Sequence, residues 1–428
     1  MFKNSFSNST ISAQSAIAQG IKTIGIGKKG SKNLDLPLIA EIKKEIHSNR
    51  IPEIMLGAFY AALIIKKSTS AEKELLHHAL GRKTYSDEDL IKLICKDAPR
   101  FIETICLELI QQKTLSLKQA KKMGDFLFSD QTGEGARGFI ASILRVRYET
   151  PDEYAGLLQS MNQLFQFDIP SSWRKNECLI QIADPFDGVT RIHSVTPLIG
   201  AYFLNQNYDV VNMAGASSGP KYGNNLLQLC QSLSIPDIRQ KTYVKDAQLT
   251  FGVCFDQTMA VPSLMQWVQR RRLIIKRPFL ATLERFVNPF AADILIASAF
   301  HAPYGEKMLD IAERAGFPGI IIVRNGMEGT INFPLIRSAK VLCSARDQKG
   351  CYQRQEMEFN PIEILTHKLS MDEKQENPSL TENVQLIKTY IKERKTNSVC
   401  FDNRVKVTCH GLEKAVKWVT TYAKKDTL

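Results

Sequence analysis

Residues 179–200 read LIQIADPFDGVTRIHSVTPLIG. An apolar run from Leu179 to Ile182 meets a turn, then Asp187-Gly188, then a Ser/Thr-bearing segment that opens a second apolar run. A strand feeding a polar loop at a helix N-terminus is the layout that offers backbone N–H groups to a phosphate. Against that chemistry, the loop has one glycine, Pro185 donates no N–H, and Phe186 stands where a small residue would let the backbone approach an anion. His193 in the same loop reads either as a ligand-facing group or as a satisfied histidine at a sheet edge. His301, in FHAPY, follows an apolar run and reads as a second group for the same cleft. The stretch QRRRLIIKR (269–277) is a candidate for phosphate contacts, and equally the solvated end of a helix.

The elements that must carry these residues come in two kinds. After Pro170, short aliphatic runs alternate with helical stretches: CLIQIA, YDVVNMA, LTFGVCF, DILIASAF, GIIIVRN and AKVLCSA. That alternation predicts a mostly parallel α/β sheet with crossover helices over 170–428, ending in a basic helical tail with Lys414, Lys417, Lys424 and Lys425. A polar segment at 371–385 is predicted to lead into a helix through a capping box of Ser379 and Glu382. Residues 35–165 are predicted to be all helical. Within them SNRIPEIMLGAFYAALIIKKSTSAEKELL (48–76) aligns without a gap to SDQTGEGARGFIASILRVRYETPDEYAGL (129–157). Gly57 matches Gly138 and Leu63 matches Leu144. Thr69 and Glu72 match Thr150 and Glu153, each pair a T-x-x-E capping box. Each copy reads as a helical hairpin with Gly and Ala at a close helix contact, a packing surface with no chemistry of its own.

At 428 residues the chain is long enough for two domains, and no apolar run approaches the roughly 20 residues needed to cross a bilayer. Nine scattered cysteines without a C-x-x-C pair argue against a disulfide framework or zinc ribbon and predict a reducing, cytoplasmic setting. The net charge of +12 favours contact with phosphates, on a small molecule, a nucleic acid or a membrane, and reads equally as a solvated basic surface with no dedicated ligand. Residues 1–34 hold no acidic residue and no arginine, and read as a mobile basic N-terminal arm carrying Lys22, Lys28, Lys29 and Lys32.

A helical region followed by this α/β pattern resembles the anthranilate phosphoribosyltransferase family, of the type III glycosyltransferase fold. The likeness rests on GEGARGFIASILRVRYETPDEYAGLLQSM in the second helical copy. It rests also on RRLIIKRPFLATLERFVNPFAADILIASAF, which follows the family's R-R-x-L-G-x-R-T…N-P segment. A divergent bacterial branch, the anthranilate phosphoribosyltransferase-like proteins, is closer. It has a PYDG loop, a P-x-KYG element and an EGS ending, matched here by Pro185-Phe186-Asp187-Gly188, Pro220-Lys221-Tyr222-Gly223 and Glu328-Gly329-Thr330. The likeness covers roughly residues 115–345, and GIGKKGSKNLD resembles that branch's N-terminus.

The resemblance implies transfer of phosphoribose from phosphoribosyl pyrophosphate to an acceptor, with magnesium, in a homodimer formed through the helical domain. It assigns substrate binding to Asp187, Gly188, His193, Thr196, Gly215, Lys221, Tyr222 and the acceptor-binding pair Arg271 and Arg272, and metal binding to Glu328. It also marks departures. The family's G-T-G-G-D-G loop reads Ala183 to Gly188 here, its K-H-G-N reads Met213-Ala214-Gly215-Ala216, and its D-E metal pair reads Glu328-Gly329. Asp184 adds a negative charge where pyrophosphate would lie. A degenerate site of this kind predicts an altered substrate or lost activity. The alternative is a sequence-independent nucleic-acid-binding protein on the same fold, using the 269–277 stretch, the basic arm and the tail.

Overall fold

In this computed structural model, residues 15–25, 30–48, 50–165, 173–239, 249–299, 304–365, 369, 372 and 377–423 are described. The chain divides into two compact units, Met1–Ser160 with Gln266–Leu280, and Met161–Met265 with Ala281–Leu428. Among the described residues no helix is long and apolar enough to cross a membrane, and all nine cysteines are free.

The first unit is helical: α1 (Ala16–Ile24), α2 (Leu36–His47), α3 (Glu53–Ile65), α4 (Ser70–Leu80), α5 (Asp87–Ile94), α6 (Arg100–Ile110), α7 (Leu117–Leu127), α8 (Glu134–Arg147) and α9 (Pro151–Asn162), the last extending just past Ser160. The duplication organises it. A Cβ added at Gly57 in α3 would run into the carbonyl of Gly135, and one added at Gly138 in α8 would run into the carbonyl of Ile54. These two contacts are equivalent under the sequence alignment, so α3 and α8 cross with near two-fold symmetry, backbone against backbone. Only glycine allows that approach.

Both T-x-x-E boxes form, and each does more than cap. Glu72 accepts from the amides of Thr69 (2.8 Å) and Leu34 (2.8 Å, 38 residues upstream) and meets the Lys66 ammonium at 2.6 Å. Glu153 accepts from Thr150 (2.8 Å) and Leu115 (2.9 Å, again 38 residues upstream) and meets Arg147 at 2.5 Å. The duplication therefore extends upstream to Leu34 and Leu115, and takes in α2 and α7. Both carboxylates are fully buried.

The predicted mobile arm is overturned over its second half. Residues 16–24 form α1, with Ile17, Ile21 and Ile24 buried and the amides of Ala16 and Ile17 held by the Glu45 carboxylate at 2.8 and 2.9 Å. Composition pointed to an arm because the capping acid lies about 30 residues away. Lys28, Lys29, His301, Lys424 and Lys425 lie outside the described residues.

The second unit holds a seven-stranded sheet in the order β3-β2-β1-β4-β5-β6-β7. The strands are β1 (Leu179–Ala183), β2 (Asp209–Ala214), β3 (Val253–Asp256), β4 (Ile294–Ser298), β5 (Gly319–Val323), β6 (Ala339–Arg346) and β7 (Tyr352–Phe359). The first five run parallel, with Ile180 opposite Val210 and Ile294, and Ile320 opposite Leu295. β6 and β7 add an antiparallel hairpin. The six apolar runs read from the sequence are β1 to β6, all but β6 buried along their whole length, as a sheet covered on both faces requires. β7, YQRQEMEF, escapes a reading by alternation because it is a largely exposed edge. The C-terminal helix Val399–Ala423 contributes Leu412, Val416 and Val419 to the same core as Ile296, Ile321 and Val323. Ser379 caps the helix Leu380–Glu393, accepting from Glu382 N at 3.0 Å. The expected return bond from the Glu382 side chain is not formed; that carboxylate lies 3.5 Å from His193 Nε2 instead.

Candidate functional site

Three loops leave the C-terminal ends of β1, β2 and β5, the edge at which open α/β sheets bind ligands. They are the segments 184–195, 215–225 and 324–330. The first two are stitched together as a short antiparallel bridge. Val189 and Asn224 exchange backbone hydrogen bonds at 2.9 Å each, and the Gly223 amide donates to the Asp187 carbonyl at 2.9 Å.

This stitching accounts for Gly188. Its φ is +72°, in the left-handed region, and a Cβ there would come within 2.5 Å of the carbonyl oxygens of Gly223 and Asn224. The open space that a phosphate loop reserves for an anion is here taken by the neighbouring loop's backbone. Gly215 is accounted for in the same way. The Phe186 ring lies over it, 2.6 Å from where a Cβ would be, and Phe186 is buried. The phenylalanine that looked misplaced in the sequence fills the loop from inside. Asn225 Nδ2 holds this arrangement by donating to the carbonyls of Phe186 (2.9 Å) and Gly215 (3.0 Å).

Thr196 begins α10 (Thr196–Leu204), and its hydroxyl sits in a buried polar network. It donates to the Asp184 carboxylate and accepts from Ser194 Oγ (3.0 Å) and Asn332 Nδ2 (3.2 Å). Asp184 also accepts from the Ile331 amide at 2.9 Å. Burial pushes the Asp184 carboxyl above its ordinary value, a shift that the Thr196 hydroxyl, the Ile331 amide and nearby Arg285 only partly oppose. The sequence expectation that Asp184 presents a charge to an incoming pyrophosphate is thus overturned: the group is interior and tied to α10 and to the segment after β5. Asn383 closes the network from the helix Leu380–Glu393, exchanging bonds with the Ser194 amide (2.8 Å) and carbonyl (2.9 Å). His193 is almost wholly buried beside Glu382.

The third loop brings Glu328. Its backbone lies in the left-handed region at φ +50°, a strained choice for a residue with a side chain. What fixes it is a dense set of donors. The Thr190 amide reaches both carboxylate oxygens at 3.1 Å, the Thr190 hydroxyl donates at 3.2 Å, the Arg191 amide at 2.6 Å, and the Lys221 ammonium makes an ion pair. Burial alone would raise this carboxyl; the Lys221 ammonium and the two amides outweigh it and hold the group below its ordinary value. Glu328 therefore knots together the loops after β1, β2 and β5.

Of the residues the sequence nominated, the second unit carries Asp187, Gly188, His193, Thr196, Gly215, Lys221, Tyr222 and Glu328, and the three loops bring them into one cluster. Tyr222 is about half exposed (53%) and also left-handed at φ +52°. Arg271 and Arg272 belong to the helical unit; Arg271 is buried, while Arg272 is exposed and donates to Gln269 at 3.3 Å. Of the basic residues in 269–277, Arg270, Arg271 and Lys276 are buried while Arg272 and Arg277 are exposed. Arg270 is 4% exposed and pairs with Glu134 at 2.7 Å, and Lys276 donates to Ser142 Oγ at 2.9 Å from a buried position. Burial, then the nearby Arg145, depresses the Lys276 ammonium to about 7.

Sequence reading missed Asn332, Asn383, Asn225, Ser217 and Ser218. The hydroxyls of Ser217 and Ser218 are buried with no hydrogen-bond partner among the described residues. Two buried donors without acceptors, on the loop that also carries Lys221, are the polar groups here that a ligand with acceptor oxygens would satisfy. The tandem Ser-Ser ahead of Gly-Pro-Lys was the only signal for them.

Magnesium, implied by the resemblance, does not fit Glu328. Both carboxylate oxygens are already met by N–H or O–H donors, whose positive ends repel a cation, and an ammonium is in contact. Among the described residues no group of three or more His, Cys, Asp or Glu side chains is placed to hold a metal.

Comparison with known proteins bears on the fold. No protein-family profile matches the chain. An uncharacterized protein of Aquifex aeolicus is 24% identical over 188 residues, which are 44% of this chain and 55% of that protein, so the match spans about half the relative's length. Among solved structures, anthranilate phosphoribosyltransferase from Thermus thermophilus superposes with a TM-score of 0.56 at 17% identity, covering 73% of this chain and 89% of that one. A variant of the Saccharomyces cerevisiae enzyme with Mg bound gives 0.53 at 13% identity, covering 76% and 90%. A further structure of anthranilate phosphoribosyltransferase from Saccharomyces cerevisiae also gives 0.53, at 12% identity with the same coverage. A helical unit joined to a mostly parallel seven-stranded α/β unit, matched over most of its length, gives this chain the fold of the anthranilate phosphoribosyltransferases.

Proposed function

We propose that this chain is a glycosyltransferase-type protein of the phosphoribosyltransferase kind whose loop cluster binds a phosphorylated small molecule, with a substrate or activity changed from that of the anthranilate enzymes. The observation that carries the reading is the Ser217-Ser218…Lys221 loop at the C-terminal end of β2. It offers two partnerless hydroxyls and an ammonium, on a fold whose solved relatives carry the phosphoribosyltransferase name. A cation and hydrogen-bond donors are what phosphate oxygens need.

The residues that depart from the family argue against ordinary anthranilate transfer. Phe186 and the Gly223-Asn224 backbone fill the volume in which a glycine loop would cradle pyrophosphate, and Met213, Ala214 and Ala216 bring no polar side chain to the β2 edge. Asp187, Tyr222 and His193 stay assigned to positioning the ligand, with no residue assigned to bond-making. A homodimer through the helical unit accompanies the reading.

The test is a calorimetric titration of the full chain with phosphoribosyl pyrophosphate, repeated with Ser218→Ala, beside a DNA titration at low and high salt. One-site binding that weakens in Ser218→Ala is the expected result. No binding to the pyrophosphate, with DNA affinity that falls steeply as salt rises, would replace this reading by sequence-independent nucleic-acid binding. The burial of Arg270, Arg271 and Lys276 removes much of the basic stretch on which that second reading drew.

A further inference from the structure

The disagreement between Glu328 and a metal site has a positive side. A carboxylate that binds a divalent ion keeps lone pairs turned toward an open, oxygen-rich position. Glu328 has none to spare: its oxygens accept from Thr190 N, Thr190 Oγ1, Arg191 N and Lys221 Nζ. Its strained backbone at φ +50° is held in place by those same contacts. Lys221 is differently placed. Its ammonium has three N–H donors, Glu328 faces it on one side, and its side chain retains 20% exposure. It projects from the segment that holds the partnerless hydroxyls of Ser217 and Ser218.

We propose that Lys221 is the resident cation of this loop cluster, occupying at Glu328 the position a divalent ion would need, so that a phosphate-bearing ligand is bound here without metal. The inference rests on the phosphate reading above and goes beyond it by naming the counter-charge. Glu328 then acts as a positioning residue: it fixes the ammonium and draws the loops after β1 and β2 together, while the remaining Lys221 donors meet the anion. A built-in ammonium differs from a bound ion in consequence. The cation comes with the chain and is not drawn from solution, so the site itself has no requirement for magnesium.

The experiment is isothermal titration of the full chain with inorganic pyrophosphate, once in excess EDTA and once in millimolar magnesium. Electron paramagnetic resonance of added Mn²⁺ is recorded on the chain alone, without EDTA or pyrophosphate. The expected result is a dissociation constant that, referred to the pyrophosphate not chelated by magnesium, agrees between the two buffers within about twofold, and only the free-ion Mn²⁺ spectrum. Lys221→Met is expected to weaken pyrophosphate by about tenfold or more, the loss of one charge-assisted hydrogen bond, and Lys221→Arg to restore most of it. Binding that requires magnesium, or bound Mn²⁺ that disappears in Glu328→Gln, overturns the metal-free site while leaving the phosphate reading intact. No binding of pyrophosphate in either buffer overturns both. The two-buffer comparison uses the unaltered chain, so it decides the matter even if Lys221→Met fails to fold.

Discussion

Glu72 and Glu153 in the helical unit and Glu328 in the α/β unit are held by the same chemistry: two backbone amides and one cationic side chain for each carboxylate. What differs is the sequence distance over which the partners are collected. Glu72 and Glu153 take a capping amide three residues back and a cation six residues back, and only one amide from afar. Glu328 takes every one of these partners from loops more than 100 residues away. The first pair is also fully buried and sits on unstrained helix starts, while Glu328 lies near the surface on a left-handed backbone. The same ligand set thus makes a fold-holding rivet where it is local and a loop-gathering knot where it is remote. The knot lies beside the partnerless hydroxyls of Ser217 and Ser218.

The strongest way to break this comparison is to remove a rivet. Glu153→Gln leaves the largely covered Arg147 against a neutral amide, and should destabilise the helical unit by about 3–5 kcal/mol in urea denaturation. Glu72→Gln should cost a similar amount, because its partners are equivalent one for one. A loss of under 1 kcal/mol from either would mean that the duplication is one of shape without shared energetics.

Lys276 sharpens the contrast from the opposite side, as a buried cation facing the Ser142 hydroxyl with the Arg145 charge nearby. Its folded value of about 7 lies below the ordinary 10.5, so folding releases a proton between those two pH values. Stability from this group therefore rises with pH from about 7 upward and is lowest below 7, where the ammonium is charged in both states. Lys276→Met should stabilise the protein by roughly 1–3 kcal/mol at pH 6 and flatten that rise, as read by thermal melts across pH. An unchanged slope would show that Lys276 does not titrate in this range.

Glu328→Gln should cost less than either rivet, about 1–2 kcal/mol, because water can reach the loops. Its mark should be local, with faster amide hydrogen exchange at Thr190 and Arg191 and little change in α3 and α8. Loss of protection throughout the α/β unit would make Glu328 a core residue like Glu72. The smallest effect is in acid. The carboxyls of Glu72 and Glu328 are both held below 4.5, so their contribution is complete above that pH and is lost as pH falls through their depressed values. The wild-type acid transition should be shallower in Glu328→Gln.

The duplicated hairpins were legible because every determinant lies in a short window: glycine at the crossing, T-x-x-E at the next helix start. The upstream partners Leu34 and Leu115 were not, since nothing in either residue type announces that its amide will meet a glutamate 38 residues later. The strands β1 to β5 were legible because a sheet covered on both faces needs continuous apolar runs, and β7 was not, because an exposed edge does not. In the site, Gly188 and Gly215 were assigned to substrate binding, and a glycine there leaves room. The room exists, but the Gly223-Asn224 backbone and the Phe186 ring occupy it. Asp184 was read as a negative charge where pyrophosphate would lie, and burial beneath Thr196 changed its meaning.

By itself the sequence determined the division into helical and α/β parts, the repeat, and the position of the loop that follows β1. Hydrophobic periodicity and local capping act over a few residues, and so they are written in the order of residues. The tertiary structure alone decided which groups remain available for a ligand. Pairing a carboxylate with an ammonium, or a glycine with a ring, depends on loops that meet only after the sheet has formed. Lys221 became the counter-charge of Glu328, and Ser217 and Ser218 were left with donors to offer, through that meeting of loops from distant parts of the chain.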